Sequence, residues 1–416
     1  MSVHSTPPVG RQAAVVFVFI TVLLDMLALG VVLPVLPKLI ESFVGGNTSR
    51  AAHIVGVFGT TWALMQFLFS PVVGALSDRF GRRPVILLSN LGLGANYLLM
   101  AVAPSLGWLF LGRVLSGITS ASISTANAYI SDITPPAERA AKFGMMGAAF
   151  GIGFVIGPGL GGILGGLDLR YPFWAAGLLS LGNFVYGWFV LPESLPKEQR
   201  RRFTLATANP VGSLQLLGAT PDLRRLTAMS FLFSLAQYAL NSVFVLYAGY
   251  RYGWTTTQVG FAIMLVGVCS GIVQAGLLKH LRKRYDEKQL LVAGSLCGVL
   301  GFVMLGASSA GWGFLLAVPL NSLWGLAGPS GLALITQRTA GDTHGRVQGG
   351  LASLSGIAGL VGPLTFTSVF GFCIAADTRL NLPGAPFLLA AGIVAAGLAL
   401  ALPVLRGRDD APAGAN

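Results

Sequence analysis

Apolar residues run through the chain in a succession of long stretches, each closed by a short polar, glycine- or proline-bearing turn. An α-helix needs about 20 apolar residues to cross the hydrocarbon layer of a bilayer. Read against the turns, the pattern predicts twelve spans, at 13–38, 52–76, 84–103, 106–131, 141–166, 171–192, 223–249, 258–280, 288–308, 311–337, 345–373 and 384–405. The longest polar interruption, PESLPKEQRRRFTLATANP, falls between the sixth and the seventh. The expected organisation is an N-terminal six-helix bundle (1–192), a linker (193–222), a C-terminal six-helix bundle (223–405) and a tail (406–416).

Composition agrees with that pattern. Of the 416 residues 54% are hydrophobic and 10% charged, with mean hydropathy +0.72. A soluble domain carries about 25% charged residues, so this chain has too few to coat a surface facing water. The fold class is an all-α polytopic membrane protein whose main partner is the lipid bilayer. The net charge of +12 does not indicate nucleic acid, because the basic patches interleaved with aromatics that such a binder needs are missing. The basic residues follow the loops instead. Arg11, Arg79, Arg82, Arg83, Arg139 and Lys142, the run Lys197 to Arg202, and the cluster from Lys279 to Arg284 all fall on one side of the predicted membrane. The other side holds just Lys38, Arg50, Arg170, Arg251 and Arg379. By the positive-inside rule both termini are cytoplasmic. The first apolar run continues too far past Arg11, without a small-residue cleavage site, to be a cleavable signal. Cys269, Cys297 and Cys373 lie in apolar runs at no metal-ligand spacing, so neither a metal site nor a disulfide framework is expected. With no His-x-x-x-His and no Gly-x-Ser-x-Gly, an enzyme is not expected either.

The two halves are related. At one ungapped offset of 205 residues, AYISDITPPAERAAKFG (128–144) lies over ALITQRTAGDTHGRVQG (333–349), and GIGFVIGP (151–158) over GIAGLVGP (356–363). Duplicated membrane halves are an arrangement of transporters, with a small-molecule site near mid-membrane at the repeat interface and alternating access by rocking of the halves.

One acid departs from the apolar pattern. Of the 15 acidic residues Asp25 alone falls inside a predicted span, in VLLDMLALGVVLPVLP, and Arg113 is its cationic counterpart in span four. At the offset Asp25 corresponds to Ser230 and Arg113 to Val318, so the charged pair belongs to the first half alone. Intramembrane charges mark ion or substrate paths. Burial disfavours a carboxylate and a neighbouring cation favours it, so Asp25 is the candidate proton site; a permanent buried salt bridge is the structural alternative. In the second half Gln237, Tyr238 and Asn241 of span seven and Gln274 of span eight are candidate substrate contacts, with Asn127 and Asn321 as additions. For each of these a hydrogen bond between helices is an equal alternative.

Two motifs carry a family resemblance. GALSDRFGRRP (74–84) sets Gly74, which permits close backbone approach, before Asp78, Arg79, Arg82 and Arg83. It resembles the signature loop of the major facilitator superfamily. The resemblance implies a cytoplasmic latch, with Asp78 near the start of span eleven and Arg82 paired to Asp132. In GIGFVIGPGLGGILGG (151–166), Gly153, Gly157, Gly161 and Gly165 make a smooth helix face beside Pro158 and Gly162. That arrangement resembles the motif of the superfamily's proton-coupled drug exporters. Across LLDMLALGVVLPVLP, LMQFLFSPVVGALSDRFGRRPVILLS, LFLGRVLSGITSA, AYISDITPPAERAAKFGMM, FVLPES and GRVQGGLASL the chain is similar to the tetracycline/proton antiporters of Gram-negative bacteria.

This likeness implies a drug:proton antiporter, monomeric, in the bacterial inner membrane. It implies no resident cofactor: the proton gradient drives transport, and Mg2+ enters only as part of a chelated substrate. It ties Asp25, Gln66, Arg113 and Gln274 to coupling or drug contact. Two positions depart from it. Where the family carries acids in spans three and nine, this chain has Asn96, an amide still able to bond a ligand, and Gly298. The departures leave open an exporter of a metabolite or lipid, or an uncoupled facilitator or sensor.

Overall fold

The computed structural model describes residues 8–120, 122–200, 220–339, 344–378 and 380–406. Most of the expected linker and all but the first residue of the tail therefore lie outside the described residues. Among those described, the regular structure is helical, without strands. Among the described residues ten helices are long and apolar enough to cross a membrane. The other two predicted spans, four and ten, coincide with helices interrupted near their middles.

The first six-span region comprises α1 (Pro8–Val32), α2 (Leu36–Phe43), α3 (Thr48–Phe80), α4 (Arg82–Ala101), α5 (Leu106–Thr119), α6 (Ser122–Ile133), α7 (Arg139–Leu167) and α8 (Tyr171–Val190). Pro34 breaks span one, Pro37 sits in the first turn of α2, and the turn between α1 and α2 is closed by Val35 N–H donating to Val32 O at 3.1 Å. Span four divides where Thr119 and Ser120 return their hydroxyls to the carbonyls of Leu115 and Ser116, a substitute bond that bends helices.

The second region comprises α9 (Pro221–Tyr252), α10 (Thr256–Gly271), α11 (Leu278–Leu281), α12 (Glu287–Ala307), α13 (Gly311–Ser322), α14 (Ala327–Thr336), α15 (His344–Ile374) and α16 (Ala385–Arg406). Thr220 caps α9 by accepting from Leu223 N–H, and Asp286 with Gln289 forms a capping box on α12. Span eight contains a π-helical turn, Ile272–Leu277, between α10 and α11. Span ten contains a 3-10 turn, Leu323–Leu326, between α13 and α14. Pro319, which lacks an N–H, and the back-bond from Ser322 Oγ to Val318 O precede that turn.

Two compact units emerge: one from residues 1–43, 61–208 and 255–264, the other from 44–60, 209–254 and 265–416. The division runs inside α3 and α10. In the first unit α1 packs against α7 and α8, and α4 against α5 and α8. Its core joins Phe17, Val22 and Met26 of α1 to Ile86, Tyr129, Ile130 and Met146. In the second unit α9 packs against α15 and α16, and α12 against α13, α14 and α16. There Tyr247 stacks edge-on to Phe387 at 4.9 Å and donates its hydroxyl to Leu305 O at 3.1 Å. Large apolar side chains also remain on the outside, such as Leu178 at 64% and Phe189 at 81% exposure. In lipid this carries no hydrophobic penalty, so the helices are held by close packing and interhelical hydrogen bonds.

Candidate functional site

The first unit gathers polar groups around Asp25. Asp25 is 8% exposed on α1. Asn183 of α8, fully buried, donates its Nδ2 to Asp25 Oδ1 at 3.3 Å and to Thr21 O at 3.4 Å, while Thr21 Oγ1 donates to Asn183 Oδ1 at 3.2 Å. One amide thus fixes both the carboxylate and the turn of α1 before it. Tyr97 of α4 interacts electrostatically with both Asp25 and Arg113. The Arg113 guanidinium stands over the Trp62 ring at 5.5 Å, and its buried Nε has no hydrogen-bond partner. The sequence reading did not single out Asn183, Tyr97 or Trp62. The available signal for Asn183 was a lone amide in the apolar run LSLGNFVYG.

Asn96, 2% exposed, faces α5. Its Oδ1 stands 3.2 Å from where a Cβ on Gly112 would be, one residue before Arg113, and has no hydrogen-bond partner. Gln66 is half-buried on the turn of α3 that Gly117 of α5 approaches. Asn127 is exposed on α6.

The glycine stripe of α7 seats α1. A Cβ on Gly153 would stand 2.7 Å from Met26 Cβ and 2.8 Å from Leu23 O, one position after and two before Asp25. One on Gly157 would stand 2.8 Å from Gly30 Cα, and one on Gly161 would overlap Val31 O. Pro158 packs on Gly30 from the same face. On another face Gly162 O accepts from Thr257 Oγ1 at 3.0 Å, and a Cβ there would press on Gly260. The stripe is therefore the bed on which the helix carrying Asp25 rests.

The motif at 74–84 is less a loop than the sequence suggests. Helix α3 continues to Phe80, and Gly81 alone, at φ +107°, turns the chain into α4. Arg82 joins three partners: its Nη1 donates to Asp78 Oδ1 and to Ser77 Oγ at 2.7 Å, and its Nε to Asp132 Oδ2 at 3.1 Å. Glu193, outside the expected set, accepts Arg82 N–H at 2.8 Å as well as the N–H groups of Ser194 and Leu195. Arg83 donates to Trp188 O at 2.7 Å and lies over that ring, while Arg79 lies over Phe80. Among the described residues nothing comes within 4 Å of a Cβ on Gly74. The tight position is Gly81, where a Cβ would meet the Glu193 carboxylate.

In the second unit Gln237 and Asn241 are exposed on α9, and Tyr238 packs on Gly362 of α15. Gln274 lies on the π-turn of span eight, beside Gly325 in the 3-10 turn of span ten. Asn321 Nδ2 is buried without a partner. At Gly298 a Cβ would stand 2.7 Å from Trp324 Cγ. That indole, 9% exposed, is held edge-on by Phe233 at 5.7 Å and Phe302 at 5.3 Å. Among the described residues no group of three or more His, Cys, Asp or Glu is placed to hold a metal ion.

The family model described as Major Facilitator Superfamily matches residues 18–363. The chain is 38% identical over 357 residues to the tetracycline resistance protein, class C, of Escherichia coli, covering 86% of this chain and 89% of that one. It is 32% identical over 409 residues to the class D protein of Salmonella ordonez, covering 98% and 100%. Its fold matches the crystal structure of the human organic anion transporter MFSD10 with TM-score 0.67 and 25% identity, covering 95% of this chain and 100% of that one.

Proposed function

The chain belongs to the Major Facilitator Superfamily, a membrane transporter and not an enzyme, and we propose that it exports tetracycline or a similar amphipathic drug in exchange for protons. The observation that carries this reading is the buried Asp25 with its amide donor Asn183, in a chain similar over most of its length to tetracycline resistance proteins. An ionised carboxylate at this depth is costly unless bonded, and a neutral one is not. Asn183 serves both states, since its Nδ2 donates to a carboxylate and still bonds a protonated acid. Arg113 is the intramembrane cation whose charge would favour the ionised state. A proton entering at Asp25 removes that charge, and the arrangement of α1 then changes with the occupancy of the site. Residues 1–192 and 223–405 are the halves that alternate, with both termini in the cytoplasm of a bacterial cell, and the working unit is the monomer. Gln66, Asn96, Asn127, Gln237, Tyr238, Asn241 and Gln274 are the proposed drug contacts. Asp78, Arg82 and Asp132 form the proposed cytoplasmic latch.

The experiment uses inside-out membrane vesicles energised to acidify the lumen. Tetracycline uptake that collapses with an uncoupler and in the Asp25→Asn protein is the expected result. Uptake that survives Asp25→Asn at full rate refutes Asp25 as the proton site.

A second reading, a carrier of a metabolite or lipid or an uncoupled facilitator or sensor, draws on Trp324. The indole occupies the space beside Gly298, so an acid there cannot simply be restored. Absence of tetracycline uptake in vesicles containing folded protein favours this reading.

A further inference from the structure

We propose that the second unit holds its own pocket for the uncharged, hydrogen-bonding face of a flat amphipathic compound. This deepens the export reading and rests on it. The pocket is an open cleft of about 320 Å³ between α9, α14 and α15, within the range of small-molecule sites. No charged side chain lines it. An ionised group brought in would find no counter-charge on its walls.

Its polar groups are Ser230, Ser234, Ser355 and Gln348. The hydroxyls of Ser234 and Ser355 face each other across α9 and α15 at 3.2 Å. Both hydroxyls are accessible from the pocket, and such a pair can turn its protons toward a ligand's carbonyl or hydroxyl. The opposite wall is mostly low, with Ala327, Gly328 and Gly331 of α14 beside Leu332. A Cβ added at Gly328 would meet no atom within 4 Å. Phe233, braced edge-on by Trp324, gives it an aromatic end. A low apolar wall, an aromatic end and a row of neutral donors and acceptors fit a fused-ring compound with oxygens along one edge. A lipid tail would use none of the four polar side chains.

The internal repeat supports a division of labour. At the offset of 205, Ser230 stands where the first half has Asp25, while Gln348 and Ser355 stand where it has Phe143 and Phe150. One copy kept the carboxylate, and the other acquired neutral polar groups around the same register. On the orientation expected from the basic loops, α9 and α15 begin, and α14 ends, on the cytoplasmic side. Ser230 is about 14 Å along α9 from Pro221 at 1.5 Å per residue, so the pocket lies within the membrane toward that side. There it would receive a compound arriving from the cytoplasm.

The test uses the full-length protein with C269A, C297A, C373A and S355C, so that one thiol reports on the pocket through its rate of reaction with a small maleimide. The probes are tetracycline and the uncharged N-phenyl-1-naphthylamine. Saturating either probe should slow labelling roughly tenfold. Adding G328L should abolish that protection, and adding G392L, another glycine with open space beside it, should not. If G328L fails to give monodisperse protein, A352L fills the same pocket from α15. Protection by the naphthylamine in a protein that moves no tetracycline sustains the pocket and removes the export reading. Labelling unaffected by both probes, in a protein that does accumulate tetracycline in vesicles, overturns the pocket and leaves the export reading intact. Protection by added phosphatidylethanolamine and by neither probe also overturns it, as a lipid site.

Discussion

Asn183 reaches from α8 to place its amide 3.3 Å from the Asp25 carboxylate, and Thr21 holds the other end of that amide at 3.2 Å. The candidate proton site is thus oriented by a residue on another helix. A hydrogen bond to a charged group contributes about 1.5–3 kcal/mol. Asn183→Leu should therefore lower proton-driven uptake about tenfold or more. Thr21→Ala, which acts only through Asn183, should lower it less. Initial rates in inside-out vesicles, normalised to folded protein, provide the check; an undiminished rate in the Asn183→Leu protein would mean that Asn183 does not act through Asp25.

The glycines of α7 should divide by face. Gly157→Ala drives a Cβ to 2.8 Å from Gly30 Cα and 2.9 Å from Leu27 O, backbone atoms that cannot step aside. Overpacking of this kind costs about 1–3 kcal/mol. Gly147→Ala and Gly151→Ala meet nothing within 4 Å on the same helix, and should leave stability unchanged or raise it through helix propensity. Thermal unfolding in detergent distinguishes the three.

Trp324 and Gly298 should be coupled. Gly298→Asp alone puts a side chain into the indole and should lower the unfolding midpoint. Adding Trp324→Ala opens the space, and the pair should be less destabilised than the sum of the two single changes, by about 0.5–3 kcal/mol for residues in contact. A double-mutant cycle in denaturant or heat measures this, and strict additivity would contradict the packing.

Arg82 should matter for transport more than for stability. Its pairs with Asp78 and Asp132 are partly open to solvent, and exposed ion pairs contribute about 0–1 kcal/mol. A lysine there presents a point charge and no planar fork, so it cannot serve Ser77, Asp78 and Asp132 together. Arg82→Lys should therefore leave the unfolding midpoint nearly unchanged while cutting vesicle uptake. An Arg82→Lys protein that transports at the normal rate would remove Arg82 from the gating role.

Much of this was legible in the linear chain. The apolar runs located the membrane helices because lipid demands a fixed length of apolar helix with its backbone bonded internally. Asp25 stood out because a lone acid in such a run is expensive. The interruptions at Thr119–Ser120 and Leu323–Leu326 were not legible, because they depend on hydroxyls bonding back to carbonyls one turn earlier. Nor was the extension of α3 to Phe80, since a charged run reads as a loop until Arg82 is seen bonding Ser77 and Asp78 along the helix.

The sequence by itself determined the membrane class, the internal repeat, the two motifs and the carboxylate around which a transport reading is built. These depend on composition, period and spacing, which are one-dimensional quantities. Only the tertiary structure decided that Asn183 bonds Asp25, that Gly153, Gly157 and Gly161 seat α1, and that Trp324 fills the space beside Gly298. It also decided that residues 44–60 and 255–264 join the units they do. Those facts depend on which helix faces come together. In an apolar chain many faces look alike, and packing distances of a few ångströms select among them.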